Sequence, residues 1–329
     1  MAKLFQFGLR ALAFFLLICL AFRIAFFTHL FSDHAGIALT QEEVAQAHHA
    51  GTDDVKRPPT VPRIIHQIYH NWTDPSNEDL PSDWKETRQT CLDFNENWEH
   101  RLWTEKTSRE FLVKEYPWFL PTYDKFKYPV QKIDALRYFA IRHFGGIYID
   151  LDNGCTASLE PLRYYPAWVT DGGCGALSNN ILGGEPNHPY WVLMTDSIIS
   201  YAWNYPLPYV TISYATGQWF ETEIWEKYHR QLPKDKPVLT RIIMDGRPGA
   251  SPWVFFTQTR GGTWDNWDNQ LFKWIGDHLV ITSLVIMGVA ASIAVTAVGV
   301  VQIAKGILGN RKGYARLDVL SHKSHCRES

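Results

Sequence analysis

The stretch RHFGGIYIDLDNGC, residues 142–155, carries the reading of the fold. Gly145 and Gly146 precede an apolar run, Ile147, Tyr148 and Ile149, and two carboxylates follow, Asp150 and Asp152, with only Leu151 between them. The pair alone says little, because 19 aspartates in 329 residues produce about one Asp-x-Asp by chance.

Its neighbours say more. In VQKIDALRYFAIRHF, residues 130–144, Ile133, Leu136, Ala140 and Phe144 recur at intervals of three and four, which predicts a helix with one buried face. The two glycines end it, since glycine enters a left-handed cap without a Cβ clash. Ile147 to Ile149 suit a short buried strand. Strand side chains alternate, so Asp150 and Asp152 leave its C-terminal end on the same side. In open α/β sheets that end is where ligands sit. Carboxylates this close repel unless a cation lies between them or one is protonated. Mg²⁺ or Mn²⁺ meets that need, because both prefer oxygen ligands and usually share them with substrate phosphates; a diphosphate is the natural third party. A solvated turn meets it too, since Asp, Asn and Gly in DLDNG are turn residues.

A net charge of −2 gives no sign of nucleic-acid binding. The 14 tryptophans suit sugar-stacking faces, membrane-interface anchors or ordinary core packing. Two segments have the length and apolarity of membrane spans. Residues 4–27, apolar apart from Gln6, Arg10 and Arg23, read as a signal anchor, because no small-x-small cleavage site follows. Residues 279–303 carry no charge, and their small residues, Gly288, Ala291 and Ser292 among them, admit a close partner helix. Lys305, Arg311, Lys312 and Arg316 follow this second span, whereas Asp277 and His278 precede it. The positive-inside rule then puts residues 1–3 and the basic tail 304–329 in the cytosol, and the body between the spans in the lumen. Asn71 opens the sequon NWT, which would be lumenal. Cys91, Cys155 and Cys174 allow one lumenal disulfide, with Cys155 to Cys174 as the expected pair.

Residues 28–60 read as a polar stem ending in KRPPT, and 61–274 as one α/β domain. RIIHQIYH reads as its first strand, SDWKETRQTCLDF as a helix capped by Ser82, and HRLWT as a second strand. Further helices are expected at 107–115, 130–144, 189–203 and 217–229, with strands at 146–150, 180–184 and 253–257. Strands alternating with helices predict a mostly parallel sheet.

Three blocks together, PRIIHQIYHNW, KIDALRYFAIRHFGGIYIDLDNGCTASLEPL and GGTWDNWDN, make the chain resemble DxD glycosyltransferases of the nucleotide-sugar, Rossmann-like A-type fold. Among these it is similar to fungal mannosyl-inositol-phosphorylceramide synthases, with Golgi outer-chain mannosyltransferases as relatives. The resemblance implies a retaining mannosyltransferase that uses GDP-mannose and Mn²⁺ or Mg²⁺, takes inositol phosphorylceramide as acceptor, resides in the Golgi or endoplasmic-reticulum membrane, and works with a regulatory membrane subunit. It also implies Asp152 as a direct metal ligand, with Asp150 in the metal shell and on the donor. Asp134 and Arg137 would reach the donor sugar, Gln67 would border the base, and Asn179 and Asn180 would touch sugar or acceptor. Thr263 and Trp264 would contact phosphate. Asp265 stands where the family pattern leads one to expect a histidine; it could ligate the cation, but it adds negative charge beside a diphosphate. A protein-glycan mannosyltransferase and a non-catalytic membrane subunit of the same fold are the competing expectations.

Overall fold

In a computed structural model, residues 15, 18, 33–51, 58–259, 261, 265–278, 280–293 and 296–302 are described. The chain divides into two units, residues 1–265 and 266–329.

The first unit is built on a seven-stranded sheet with the order β1 (Ile37–Thr40), β8 (Thr240–Ile243), β6 (Ala167–Asp171), β7 (Ser178–Gly184), β4 (Gly146–Ile149), β2 (Ile64–Ile68), β3 (Glu99–Trp103). Strand β7 runs antiparallel to both its neighbours, and the other four pairings are parallel. This is the expected mixed α/β class with a mostly parallel sheet. A two-stranded antiparallel ribbon, β5 (Asn153–Cys155) with β9 (Phe256–Gln258), lies directly behind the carboxylate pair in the chain. The strand expected at 253–257 is this shorter segment.

Around the sheet stand α1 (Gln41–Ala50), α2 (Ser82–Phe94), α3 (Glu105–Glu115), α4 (Leu120–Asp124), α5 (Pro129–Phe144), α6 (Pro189–Tyr201), α7 (Pro208–Ala215) and α8 (Gln218–Gln231). Side-chain alternation along β4 feeds two separate cores. Tyr148 enters one with Leu136, Phe139, Trp191 and Trp225. Ile147 and Ile149 enter the other with Ile65, Cys91, Trp168 and Phe255. Burial on both faces explains why β4 reads as an unbroken apolar run rather than an alternating one.

The α5 to β4 turn needs its glycines. Gly145 has φ 65° and Gly146 φ 98°, and a Cβ on Gly146 would lie 2.5 Å from the Ile64 carbonyl oxygen. Only glycine lets β4 leave the helix this tightly and still pair with β2.

Three sequence expectations are corrected. Residues 37–50 are not stem: β1 adds to the sheet edge beside β8, and α1 follows it. The segment carries a capping box, with Thr40 Oγ1 accepting from the Glu43 amide and the Glu43 carboxylate accepting from the Thr40 amide. Ser82 is the first residue of α2, and Pro81 occupies the cap position without a side-chain bond. The disulfide joins Cys91 to Cys155, and Cys174 is free and exposed. Helix α2 packs on β5, where Thr90 Oγ1 accepts from the Cys155 amide, so Cys91 is the thiol brought to Cys155.

The second unit contains α9 (Asn269–Asp277) and the helix Val280–Gln302. Among the described residues the latter is the one helix long and apolar enough to cross a membrane, and none of it is buried. The expected first span, residues 4–27, lies outside the described residues apart from Phe15 and Ile18.

Candidate functional site

A cavity of about 330 Å³ opens at the C-terminal ends of β2 and β4. Its wall includes Tyr69 to Trp72 from the loop after β2, Asp134 and Arg137 from α5, the Asp150 to Asp152 segment, Asn179 from β7, and Gly217 and Gln218 at the start of α8.

The residues that α5 supplies are Asp134 and Arg137, which at i and i+3 share a face. They do not form a solvated surface pair: their side chains are 5% and 4% exposed, with Arg137 Nη2 2.9 Å from Asp134 Oδ1. Arg137 also reaches Asp150 at 3.4 Å, donates from Nη1 to the Asn179 carbonyl, and lies 4.6 Å over the Tyr148 ring. Its Nε, buried, has no hydrogen-bond partner. Asp134 accepts in addition from Asn179 Nδ2 at 3.1 Å and Thr216 Oγ1 at 3.0 Å. Desolvation dominates its titration and pushes its carboxyl up to about 6, although Arg137 pulls the other way.

Asp150 is held on the strand end by its backbone, its amide donating to the Asn180 carbonyl at 2.9 Å. The Tyr148 hydroxyl, two residues back and therefore on the same side of the strand, donates to Asp150 Oδ1. Burial raises the Asp150 carboxyl as well, against the pull of Arg137. Asp152 is positioned by its carbonyl, which accepts from the Thr259 amide at 2.7 Å and its hydroxyl at 3.0 Å. Among the described residues no cation is paired with Asp152. Burial, and then the negative charge of Asp150, push its carboxyl up to about 7.

Several groups not anticipated from the sequence complete the wall. Gly261 lies against the pair, since a Cβ there would stand 2.4 Å from Asp152 Oδ2. This brings the first residue of GGTWDNWDN to the site. Tyr69 and Trp84 meet edge to face across the cavity's apolar side, with ring centroids 6.1 Å apart. His70 donates or accepts at Ser108 Oγ over 2.9 Å, and burial drives its imidazole down to about 4, so it is neutral at physiological pH. Behind the wall rather than in it, Glu221, one turn into α8 from Gly217, is fully buried with neither carboxylate oxygen partnered, and burial lifts it to about 8. The spacing of apolar residues gave no warning of α7, because it is buried on most sides, whereas α8 begins where the helix at 217–229 is expected.

Of the residues expected at the site, Asp134, Arg137, Asp150, Asp152 and Asn179 are brought together. Asn180 is not: its amide is occupied by Asn153 Oδ1, Thr170 Oγ1 and Ser178 Oγ inside the sheet. Gln67 is buried in β2, short of the cavity, and the residues after it, from Ile68 on, line the wall. Asp265 is exposed and does not line the cavity. Thr263 and Trp264 lie outside the described residues. The sequon's Asn71 is itself part of the cavity wall, its amide donating to the Asn77 carbonyl at 3.2 Å.

Among the described residues no three His, Cys, Asp or Glu side chains gather as a metal-ligand group. The cavity does fit a cation that brings its own further ligands. Among the described residues its wall holds three carboxylates, Asp134, Asp150 and Asp152, against the single guanidinium of Arg137. Asp134 is already satisfied by three donors, which leaves Asp150 and Asp152 as the oxygens available to a hard divalent ion.

Residues 81–168, which include both carboxylates, match the glycosyltransferase sugar-binding region containing DXD motif. The chain is 38% identical over 229 residues to mannosyl phosphorylinositol ceramide synthase SUR1 of Saccharomyces cerevisiae, a match covering 69% of this chain and 58% of that protein. Inositol phosphoceramide mannosyltransferase 2 of Schizosaccharomyces pombe is also 38% identical, covering 69% and 65%. Inositol phosphoceramide mannosyltransferase 1 of the same yeast is 31% identical, covering 68% of this chain and 69% of its own length. The chain thus spans about 58–65% of the first two relatives' length. With its DXD region matched and two thirds of a relative covered, the chain belongs to the fungal inositol phosphoceramide mannosyltransferases, within the DXD-motif glycosyltransferases.

Proposed function

We propose that this chain transfers mannose from GDP-mannose to inositol phosphorylceramide, with Mn²⁺ or Mg²⁺ held by Asp150 and Asp152. The observation that carries the reading is the charge imbalance of the cavity, three carboxylates to one guanidinium among the described residues, placed where an α/β sheet binds its ligands. When bound, the divalent ion would offset negative charge growing on the leaving nucleoside diphosphate. The protein's own part is positioning. Arg137 and the Tyr148 hydroxyl fix one oxygen of Asp150, and Asp134 and the Asn179 carbonyl fix Arg137 in turn. The unpartnered Arg137 Nε is a charged donor available to the sugar or diphosphate. Apolar wall residues such as Ile68, Val130 and Ile212 exclude water from the reacting centre. The relatives' names supply mannose and the ceramide acceptor. The test is full-length protein in vesicles containing inositol phosphorylceramide, given GDP-mannose. A mannosylated lipid formed with Mn²⁺ and lost on chelation is expected; unchanged lipid under every metal tried contradicts the reading.

We place residues 280–302 across the bilayer, with residues 28–278 in the lumen. The basic residues after the span support that orientation. The Cys91–Cys155 disulfide also suits an oxidising compartment, of which the Golgi lumen is one. A tag after Ser329 is expected to be digested by protease added to sealed microsomes, and a protected tag contradicts the placement.

The span's small residues serve no purpose against lipid tails, so we assign its Gly288, Ala291 and Ser292 positions to a separate membrane subunit. Replacing all three by Leu keeps the span apolar and is expected to abolish copurification with that subunit; undiminished copurification contradicts it.

A further inference from the structure

We infer that α9, residues 269–277, is a membrane-surface element that lies in the headgroup layer of the same bilayer that residues 280–302 cross. The inference rests on reading that segment as a span. At about 100° per residue, Trp274, Leu271, Ile275 and Phe272 fall within an arc of about 160°. Asn269, Gln270, Lys273, Gly276 and Asp277 fill the rest. The division between faces is complete over the whole helix, although none of its residues is buried. Leu271 is 45% and Trp274 47% exposed, and Trp267, just before the helix, is 70% exposed. A soluble helix with such a stripe ordinarily hides it against a core.

The occupant of that face is fixed by chain length. Only two residues separate Asp277 from Val280, the first residue of the apolar helix. An extended chain advances at most about 3.5 Å per residue, so the end of α9 lies within about 10 Å of the span's entry. The interfacial layer on each side of the hydrocarbon is itself roughly 5–8 Å deep. The α9 helix therefore begins its course at the lipid headgroups. It is also free to depart from the span's direction, because His278 interrupts the helical backbone at φ −130° and ψ 43°. The His278 ring stacks on Trp274 at 4.7 Å, and its Nδ1 bonds the Trp274 carbonyl at 2.9 Å. This break holds the aromatic stripe next to the span. Trp, with an apolar body and one N–H, favours this depth, while Lys273 and Asp277 face water.

The test uses the full chain in phosphatidylcholine vesicles containing phosphatidylinositol, with Cys19, Cys174 and Cys326 replaced by Ser and the Cys91–Cys155 bridge intact. One nitroxide at a time is attached to a cysteine introduced at 271, 273, 274, 277 or 289, and its collisions with oxygen and with a water-soluble nickel chelate are compared. Labels at 271 and 274 are expected to collide preferentially with oxygen, those at 273 and 277 with nickel, and that at 289 with oxygen alone. A label at 289 in lipid, with 271 and 274 as open to nickel as 273 and 277, overturns the inference while leaving the span intact. A label at 289 open to nickel overturns the span, and the inference with it.

Discussion

Asp152→Asn is expected to lower mannose transfer by about 10²- to 10³-fold, a loss of about 3–4 kcal/mol of transition-state stabilisation. The change removes one negative charge from the carboxylate that has no cation partner among the described residues, and it keeps the side chain's shape. The fold is expected to tolerate it. The Asp152 carbonyl, not its carboxylate, holds the segment to Thr259, and burial already raises the carboxyl to about 7, so neutralising it costs the metal-free protein nothing. Thermal melting without metal should therefore be unchanged or slightly higher, while the activity assay shows the loss. Turnover at the normal rate would remove Asp152 from the metal site. A collapse in melting temperature would make its role structural.

Arg137→Met is the second large effect, and it is an effect on the fold. Among the described residues the guanidinium is the one cation beside three carboxylates, and its removal leaves Asp134 and Asp150 without their ion-pair partner. Breaking a buried pair in this way costs about 3–5 kcal/mol. For a domain of this size that is a fall of roughly 10 °C in Tm. The pH dependence gives the cause away. Asp134 already titrates near 6 because of burial, and without Arg137 its folded pKa rises further. A folded pKa raised above the unfolded value contributes stability that is fully present below the unfolded pKa, near 4, and is lost as pH rises through the folded pKa. The variant's deficit should therefore be small at pH 5 and large at pH 8. A deficit independent of pH would point to lost packing over Tyr148 rather than to uncompensated charge.

What could be read from the sequence follows physical rules. The α5 helix, β4 and the carboxylate pair were legible because a 3.6-residue period, two glycines and an apolar run act within a few residues of one another. Helical spacing put Asp134 and Arg137 on one face, and the family resemblance made them site residues. The Cys91–Cys155 bridge was not legible, because it depends on how α2 lands on β5, 64 residues away in sequence. Asn180 looks in sequence like its neighbour Asn179, and only strand alternation in β7 sends one amide to the cavity and the other into the sheet. Strand β1 was hidden by its shortness, four residues at an edge, although the Thr40 to Glu43 capping box behind it was a usable signal. Gly261 could not be singled out, since nothing in its own segment tells that it lies against the Asp152 carboxylate.

Asp150 and Asp152 are proposed to hold a divalent cation together with a nucleotide-sugar diphosphate. Titration calorimetry of the purified full chain with GDP-mannose tests it most directly, with and without Mn²⁺, beside Asp152→Asn. Binding that requires Mn²⁺ and is absent in the variant is expected. Equal GDP-mannose affinity with and without the metal, or in the variant and the unaltered protein, would contradict it.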